Sequence, residues 1–162
     1  MKSFWGNIGI AFFLLWMFVP TSTLAAGIFF PEAAAEGGES IEIPVMIDAI
    51  DNLAGIKLVM KYDPELLVFQ GAEKTRKTSS LMHIANNKKP GLLIVVMAGA
   101  RGIRGENFPI LKLSFQTHAV PQGNHTTRIE ITEAQLMSDD LKDIPYHIRS
   151  EPITILAKKK KD

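Results

Sequence analysis

The chain has 162 residues, of which 46% are hydrophobic and 22% are charged, and it contains no cysteine. Its 18 basic and 17 acidic side chains nearly cancel, and four of the basic ones are Lys158 to Lys161. The remaining body therefore lacks the positive charge that nucleic-acid binding requires, and the fold relies on a hydrophobic core rather than on disulfides.

The first 25 residues have the pattern of a secretory signal peptide. Lys2 precedes a twelve-residue apolar run, 8–19, and Thr-Leu-Ala-Ala follows at 23–26, so we predict cleavage after Ala25 or Ala26. The run is short for a membrane span, which needs about 20 residues. We therefore predict a secreted mature chain, periplasmic or extracellular, with no membrane span after cleavage; an uncleaved N-terminal anchor is the alternative.

The first half of the mature chain predicts four short strands, at 28–30, 41–47, 53–62 and 66–69. In the third, apolar residues at 56, 58, 60 and 62 alternate with Lys57, Val59 and Lys61, the period of two that marks a half-buried strand. Residues 48–52 are predicted to form a turn, and Asp63-Pro64 a tight corner because proline cannot donate to a strand ladder.

The second half predicts further short strands with turn signals between them. Residues 70–80 are predicted to be a loop, 81–86 are ambiguous between a helical turn and a strand, and 99–105 are predicted to be a glycine loop. Strands are predicted at 92–98, 109–115, 129–136, 144–148 and 153–155. About nine short strands without a long helix predict an all-β fold, an antiparallel β-sandwich.

Catalytic signatures are absent from the sequence. It contains no nucleophile elbow, zinc-protease helix, P-loop or dinucleotide fingerprint, and its four histidines have no ligand spacing. We therefore predict no enzyme activity, no metal and no cofactor. Calcium at Asp139, Asp140 and Asp143 is an alternative to a solvated acidic turn, which we prefer because the spacing of a calcium loop is missing.

The run 92–98 is apolar on both faces. If Leu93, Val95 and Met97 point inward, an apolar stripe of four residues faces outward, at Leu92, Ile94, Val96 and Ala98. Such a stripe either binds a protein or is covered by a loop or by long side chains such as Lys57 and Lys61.

The order of motifs resembles that of a cohesin domain. The resemblance rests on Gly-Glu-Ser-Ile-Glu-Ile-Pro-Val at 38–45, Leu-Ala-Gly-Ile-Lys-Leu at 53–58, Lys-Tyr-Asp-Pro-Glu-Leu-Leu at 61–67, and the segment from Ile129 to Leu141. It covers nearly the whole mature chain. It implies a nine-stranded jelly-roll sandwich, similar to carbohydrate-binding modules, that binds dockerin modules on one sheet face without catalysis.

Carried over by position, the resemblance implies a partner-binding set on that face. Lys57 stands where an acid is usual, and Asn87 where an aromatic residue is usual. Val96 matches the outward stripe, its neighbour Ile94 joins it, and Lys61 completes the rim. The predicted partner-binding residues are Lys57, Lys61, His83, Asn87, Ile94, Val96, Asp139 and Leu141.

The sequence therefore predicts a signal peptide at 1–25, a cohesin-like sandwich at 26–156 and a basic tail at 157–162. Its predicted function is non-catalytic docking of a dockerin-like protein partner. A polysaccharide-binding module and a structural or adhesion protein of the cell envelope, held by the lysine tail, are the alternatives. The kind of ligand that the sheet face binds would distinguish these functions.

Overall fold

The computed structural model describes residues 25–120 and 122–157, so all but the last residue of the predicted signal peptide, and the lysines of the tail, lie outside it. The described residues form ten strands and no helix. None of this part of the chain is therefore a helix able to cross a membrane. The strands are β1 Ala26–Phe30, β2 Ala33–Glu36, β3 Ser40–Lys61, β4 Leu67–Lys74, β5 Met82–Lys89, β6 Leu92–Thr117, β7 His125–Thr127, β8 Glu130–Met137, β9 Tyr146–Ser150 and β10 Ile153–Leu156.

Two long strands, β3 and β6, run antiparallel along their whole lengths, from Ser40 opposite Gln116 to Lys61 opposite Leu92. Their pairing shifts register around Leu53, between residues 50 and 55. The predicted turn at 48–52 and the predicted glycine loop at 99–105 are therefore wrong, because both segments remain in strand. Irregularities of this kind bend a strand and let it pass from one sheet of a sandwich to the other.

The bent strands divide the fold into two layers. One layer has the order β5-β6-β3-β8, using residues 55–61 of β3 and 92–98 of β6. The other has the order β4-β6-β3-β1-β9, and a separate three-stranded sheet has the order β2-β10-β7. The predicted all-β jelly-roll sandwich is confirmed, although β1 with β9 and β2 with β10 pair in parallel.

Alternation along β3 builds the core from both layers. Its first half buries Ile41, Ile43, Val45 and Ile47, and its second half buries Ile56, Leu58 and Met60. The ring of Phe115 meets Tyr62 and its cross-strand partner Phe69 edge-on, with centroids 5.2 and 5.7 Å apart. Each such side chain contributes roughly 1.5–3 kcal/mol when it is fully buried.

Candidate functional site: the outer face of the β5-β6-β3-β8 layer

The outer face of this layer, called here the four-strand face, begins with β6. Leu93, Val95 and Met97 are buried, with at most 1% exposure. Because side chains alternate along a strand, the intervening residues point outward, and Val96 is 42% exposed. The predicted outward direction of the stripe at 92, 94, 96 and 98 is confirmed.

Strand β5 widens the stripe into a patch. Met82 lies opposite Ala98 and Ile84 lies opposite Val96, and the two β5 side chains are 77% and 71% exposed. Cross-strand partners have their side chains on the same face. The resulting apolar ridge consists of Met82, Ile84, Ile94, Val96 and Ala98.

The sequence predicted only the part of the ridge that lies on β6. Residues 81–86 are strand, so Met82 and Ile84 belong to the face, although neither was among the predicted site residues. Large side chains exposed next to each other are unusual on a soluble surface, and they make the ridge the candidate binding site.

The other half of the four-strand face, on β3 and β8, is polar. Lys57 lies between Val96 on β6 and Gln135 on β8, and its Nζ is 2.5 Å from Glu133 Oε1. Lys61 lies between Leu92 and Glu130 and is exposed. The face is thus apolar along β5 and β6 and charged along β3 and β8. Lys57 and Lys61 both lie on this face, as predicted.

Two predicted residues lie on the opposite side of β5. His83 pairs with the buried Met97, and its Nε2 is 3.0 Å from the carbonyl oxygen of Ala72. Asn87 accepts a hydrogen bond of 2.9 Å from the hydroxyl of Tyr62. The placement of His83 and Asn87 on the face, implied by the resemblance, is therefore corrected.

Asp139 and Leu141 lie in the loop that follows β8. The carboxylate of Asp139 accepts hydrogen bonds from Asn52 Nδ2, at 2.7 Å, and from the backbone N–H of Gly102, at 3.2 Å. Leu141 has φ 60° and is 79% exposed. The left-handed region is unfavourable for such a side chain. The hydrogen bonds of Asp139 anchor the loop, and the loop exposes Leu141 to solvent.

The remaining acids of this loop have partners of their own. Lys142 lies 2.5 Å from Asp140, and this hydrogen bond, with a second from the hydroxyl of Ser138, lowers the pKa of Asp140 from its ordinary value. Asp143 accepts from Gln135 Nε2 at 3.2 Å. Within 25–120 and 122–157, no three acids or histidines are grouped to hold a metal ion.

Comparison with known proteins places this geometry in a family. The model of the cohesin domain matches residues 27–155. This chain belongs to the cohesin family. No curated protein matches it, and the solved structures that match share the fold at low sequence identity.

Three of those structures illustrate the range of cohesins with this fold. The non-cellulosomal cohesin of Archaeoglobus fulgidus is 16% identical, with a TM-score of 0.73, over 83% of this chain and 93% of that one. The OlpC cohesin of Clostridium thermocellum, solved with a dockerin, is 14% identical, with a TM-score of 0.73, over 83% and 95%. The sixth scaffoldin B cohesin of Acetivibrio cellulolyticus, also in complex with a dockerin, is 12% identical, with a TM-score of 0.71, over 83% and 100%.

Proposed function

We propose that this cohesin is a non-catalytic docking module that binds a dockerin-type protein on its four-strand face. The observation that carries the proposal is the apolar ridge, in which Met82, Ile84 and Val96 lie side by side and exposed. Such a ridge supplies the apolar centre of a protein interface, and Lys57, Lys61 and Glu133 supply a polar rim. The dockerin complexes of two cohesins with the same fold support the choice of partner.

Within the same proposal, Ile94, Asp139 and Leu141 take different parts. Ile94 extends the ridge along β6, and Leu141 adds an exposed apolar side chain at the end of β8. Asp139 acts through its hydrogen bonds to Asn52 and Gly102, which hold that loop in place. It is therefore a positioning residue rather than a contact residue.

The chemistry of the ridge favours a protein over a polysaccharide. Its five side chains are aliphatic, or methionine, and such groups pack against another apolar surface, whereas sugar rings are usually bound by aromatic platforms. Glycan binding and envelope adhesion are consequently the competing outcomes of the test. The signal-peptide pattern of residues 1–25 supports export to the periplasm or the exterior as the setting for either role.

The test compares two valines of nearly equal exposure. Val96 is 42% exposed on the four-strand face, and Val68 is 40% exposed on β4 in the other layer. The mature protein, Val96→Asp and Val68→Asp are titrated calorimetrically with purified dockerin modules, starting with those of the source organism. Affinity-gel electrophoresis with polysaccharides is run in parallel.

We expect a dockerin to bind, with a loss of at least about 2 kcal/mol in Val96→Asp, since a charge is buried at the interface centre, and with little change in Val68→Asp. A dockerin that binds both variants equally would move the site elsewhere. Retardation by a polysaccharide with no dockerin bound would replace the proposal with the glycan alternative.

A further inference from the structure

The charge of this cohesin is unevenly distributed along the chain. The 32 residues from Lys74 to Gly105 contain seven lysines and arginines and no aspartate or glutamate. All 17 acidic residues therefore lie outside the part of the chain that includes β5 and the first half of β6, the two strands that carry the apolar ridge. The seven cations are Lys74, Arg76, Lys77, Lys88, Lys89, Arg101 and Arg104.

Three of these cations are engaged within the fold. Lys74 donates to the carbonyl oxygens of Ser79 and Leu81, at 2.8 and 2.6 Å. Lys77 lies over the ring of Phe108, 5.6 Å from its centroid. Arg104 is 3.5 Å from a carboxylate oxygen of Asp51.

The other four are exposed, and two of them, Lys88 and Lys89, lie at one end of the ridge. Lys88 and Lys89 end β5, and Lys89 lies opposite Leu92 in the row that also contains Lys61. Arg101 lies three residues beyond Ala98 along β6, and Arg76 lies in the loop that leads into β5. Among the residues of 25–120 and 122–157, none of these four has a carboxylate within 4.0 Å.

We infer that this cohesin selects an acidic partner, one that places carboxylates beside an apolar strip, at the end that faces Lys61, Lys88 and Lys89. This inference rests on the proposed function, because it names the chemistry of the module that docks on the ridge. Four unpaired cations attract such a partner from a distance and accelerate its association. Lys88 and Lys89 repel a basic partner at that end of the ridge, which gives discrimination as well as affinity.

An anionic membrane could also be attracted by cations that flank apolar side chains. The four-strand face, however, continues onto β8, where Glu130 and Glu133 are exposed. A flat anionic surface would meet these carboxylates along with the lysines, whereas a protein can place its own charges only where the cations are. The arrangement therefore favours a protein partner over a lipid surface.

The experiment selects partners without assuming their sequence. A dockerin module displayed on yeast is randomised at its exposed positions and sorted for binding to the mature cohesin, with Val96→Asp used for counter-selection. Selected clones are titrated at low and high NaCl against the wild type and two double variants, Lys88→Glu with Lys89→Glu and Lys88→Arg with Lys89→Arg. The arginine variant is the matched control because it keeps both charges, and circular dichroism confirms that each variant is folded.

We expect the clones to be enriched in aspartate and glutamate beside an apolar strip. Their affinity should fall at least about tenfold in the glutamate variant, stay within about twofold in the arginine variant, and weaken with added salt. Clones that depend on Val96 but carry neutral or basic contact residues would overturn the acidic-partner inference and leave the docking proposal intact. If no clone depends on Val96, the docking proposal itself fails.

A membrane control completes the design. Vesicles made of equal parts phosphatidylglycerol and phosphatidylcholine are sedimented with the wild type and with the glutamate variant. We expect no co-sedimentation of either protein. Co-sedimentation that is lost in the glutamate variant would show that Lys88 and Lys89 bind a lipid surface, and it would overturn the inference.

Discussion

The hydroxyl of Tyr62 donates a hydrogen bond of 2.9 Å to the side-chain oxygen of Asn87. Tyr62 is 7% exposed, so this bond satisfies a hydroxyl that is largely withdrawn from water. It also turns Asn87 away from the four-strand face. A residue that was predicted to contact a partner thus serves the stability of the fold.

Replacing Asn87 by alanine should therefore lower the free energy of unfolding by about 1 kcal/mol, the usual cost of a lost hydrogen bond, and leave partner binding unchanged. Urea denaturation measures the first quantity and calorimetric titration the second. Asn86→Ala is the control for stability only, because Asn86 lies opposite Ile94 on the four-strand face. Asn86 is exposed and accepts one exposed hydrogen bond, from the Lys88 N–H, so its loss should change stability by less than about 0.5 kcal/mol. Weaker binding with unchanged stability would show that Asn87 contacts the partner.

Ile84 should show the opposite behaviour. Because its side chain is 71% exposed, Ile84→Ser is expected to change the free energy of unfolding by less than about 0.5 kcal/mol while weakening dockerin binding by more than about 1 kcal/mol. Ile148→Ser on β9, another exposed isoleucine, is the control for surface hydrophobicity. Equal effects of the two substitutions on binding would argue against a site centred on the ridge.

Asp139→Ala should destabilise the protein by about 1–2 kcal/mol, because the side chain of Asn52 and the amide of Gly102 both lose an acceptor. Hydrogen exchange at the Gly102 amide should become faster. Asp51→Ala is the matched control: Asp51 pairs with Arg104 at 3.5 Å with both side chains about 80% exposed, and such pairs contribute little. Similar losses in the two variants would contradict the anchoring role of Asp139.

The Asp140 carboxyl should titrate below the ordinary aspartate pKa of 3.8, because Lys142 and Ser138 donate hydrogen bonds to its charged form. A pKa lowered by folding adds stability above the ordinary value, and this contribution is lost as pH falls through the lowered value. An NMR titration should show the pKa rising toward 3.8 in Lys142→Gln and staying low in Lys142→Arg. An unchanged pKa in Lys142→Gln would exclude this pair as the cause.

The two predicted cleavage positions differ in what they leave of β1. Ala26 is 2% exposed, its N–H donates to the carbonyl oxygen of Pro145 at 2.8 Å, and it pairs with Tyr146. Cleavage after Ala25 preserves these contacts, so we expect the exported protein to begin at Ala26. N-terminal sequencing decides, and a start at Gly27 would show that processing ignores the strand boundary.

The outward stripe of β6 could be predicted because a period of two is a local property of the sequence. The bends of β3 and β6 could not. Residues 99–105 contain three glycines, which indicate a loop when taken alone, but here the strands approach so closely that a side chain at Gly102 would collide with Asn52. Gly102 thus permits a close approach of the two strands. The sequence of one strand alone does not distinguish this role from that of a loop glycine.

The outward orientation of side chains was predicted correctly on β6 and incorrectly on β5. Edge strand β5 has few buried side chains, so its sequence gives no clear amphipathic signal. A shift of one residue moves a side chain to the opposite face, so His83 faces inward while its neighbours Met82 and Ile84 face outward. Positional transfer from a family fails where the register is undetermined.

The parallel pairing of β1 with β9 has a consequence for the order in which this protein folds. Ala26 pairs with Tyr146, and Ala33 pairs with Ile153. The first strands of the chain can therefore form these pairs only when the last strands are available. Folds dominated by such distant pairings close slowly, on the order of milliseconds to seconds. The pairing that joins the two ends of the domain is therefore expected to form late in folding.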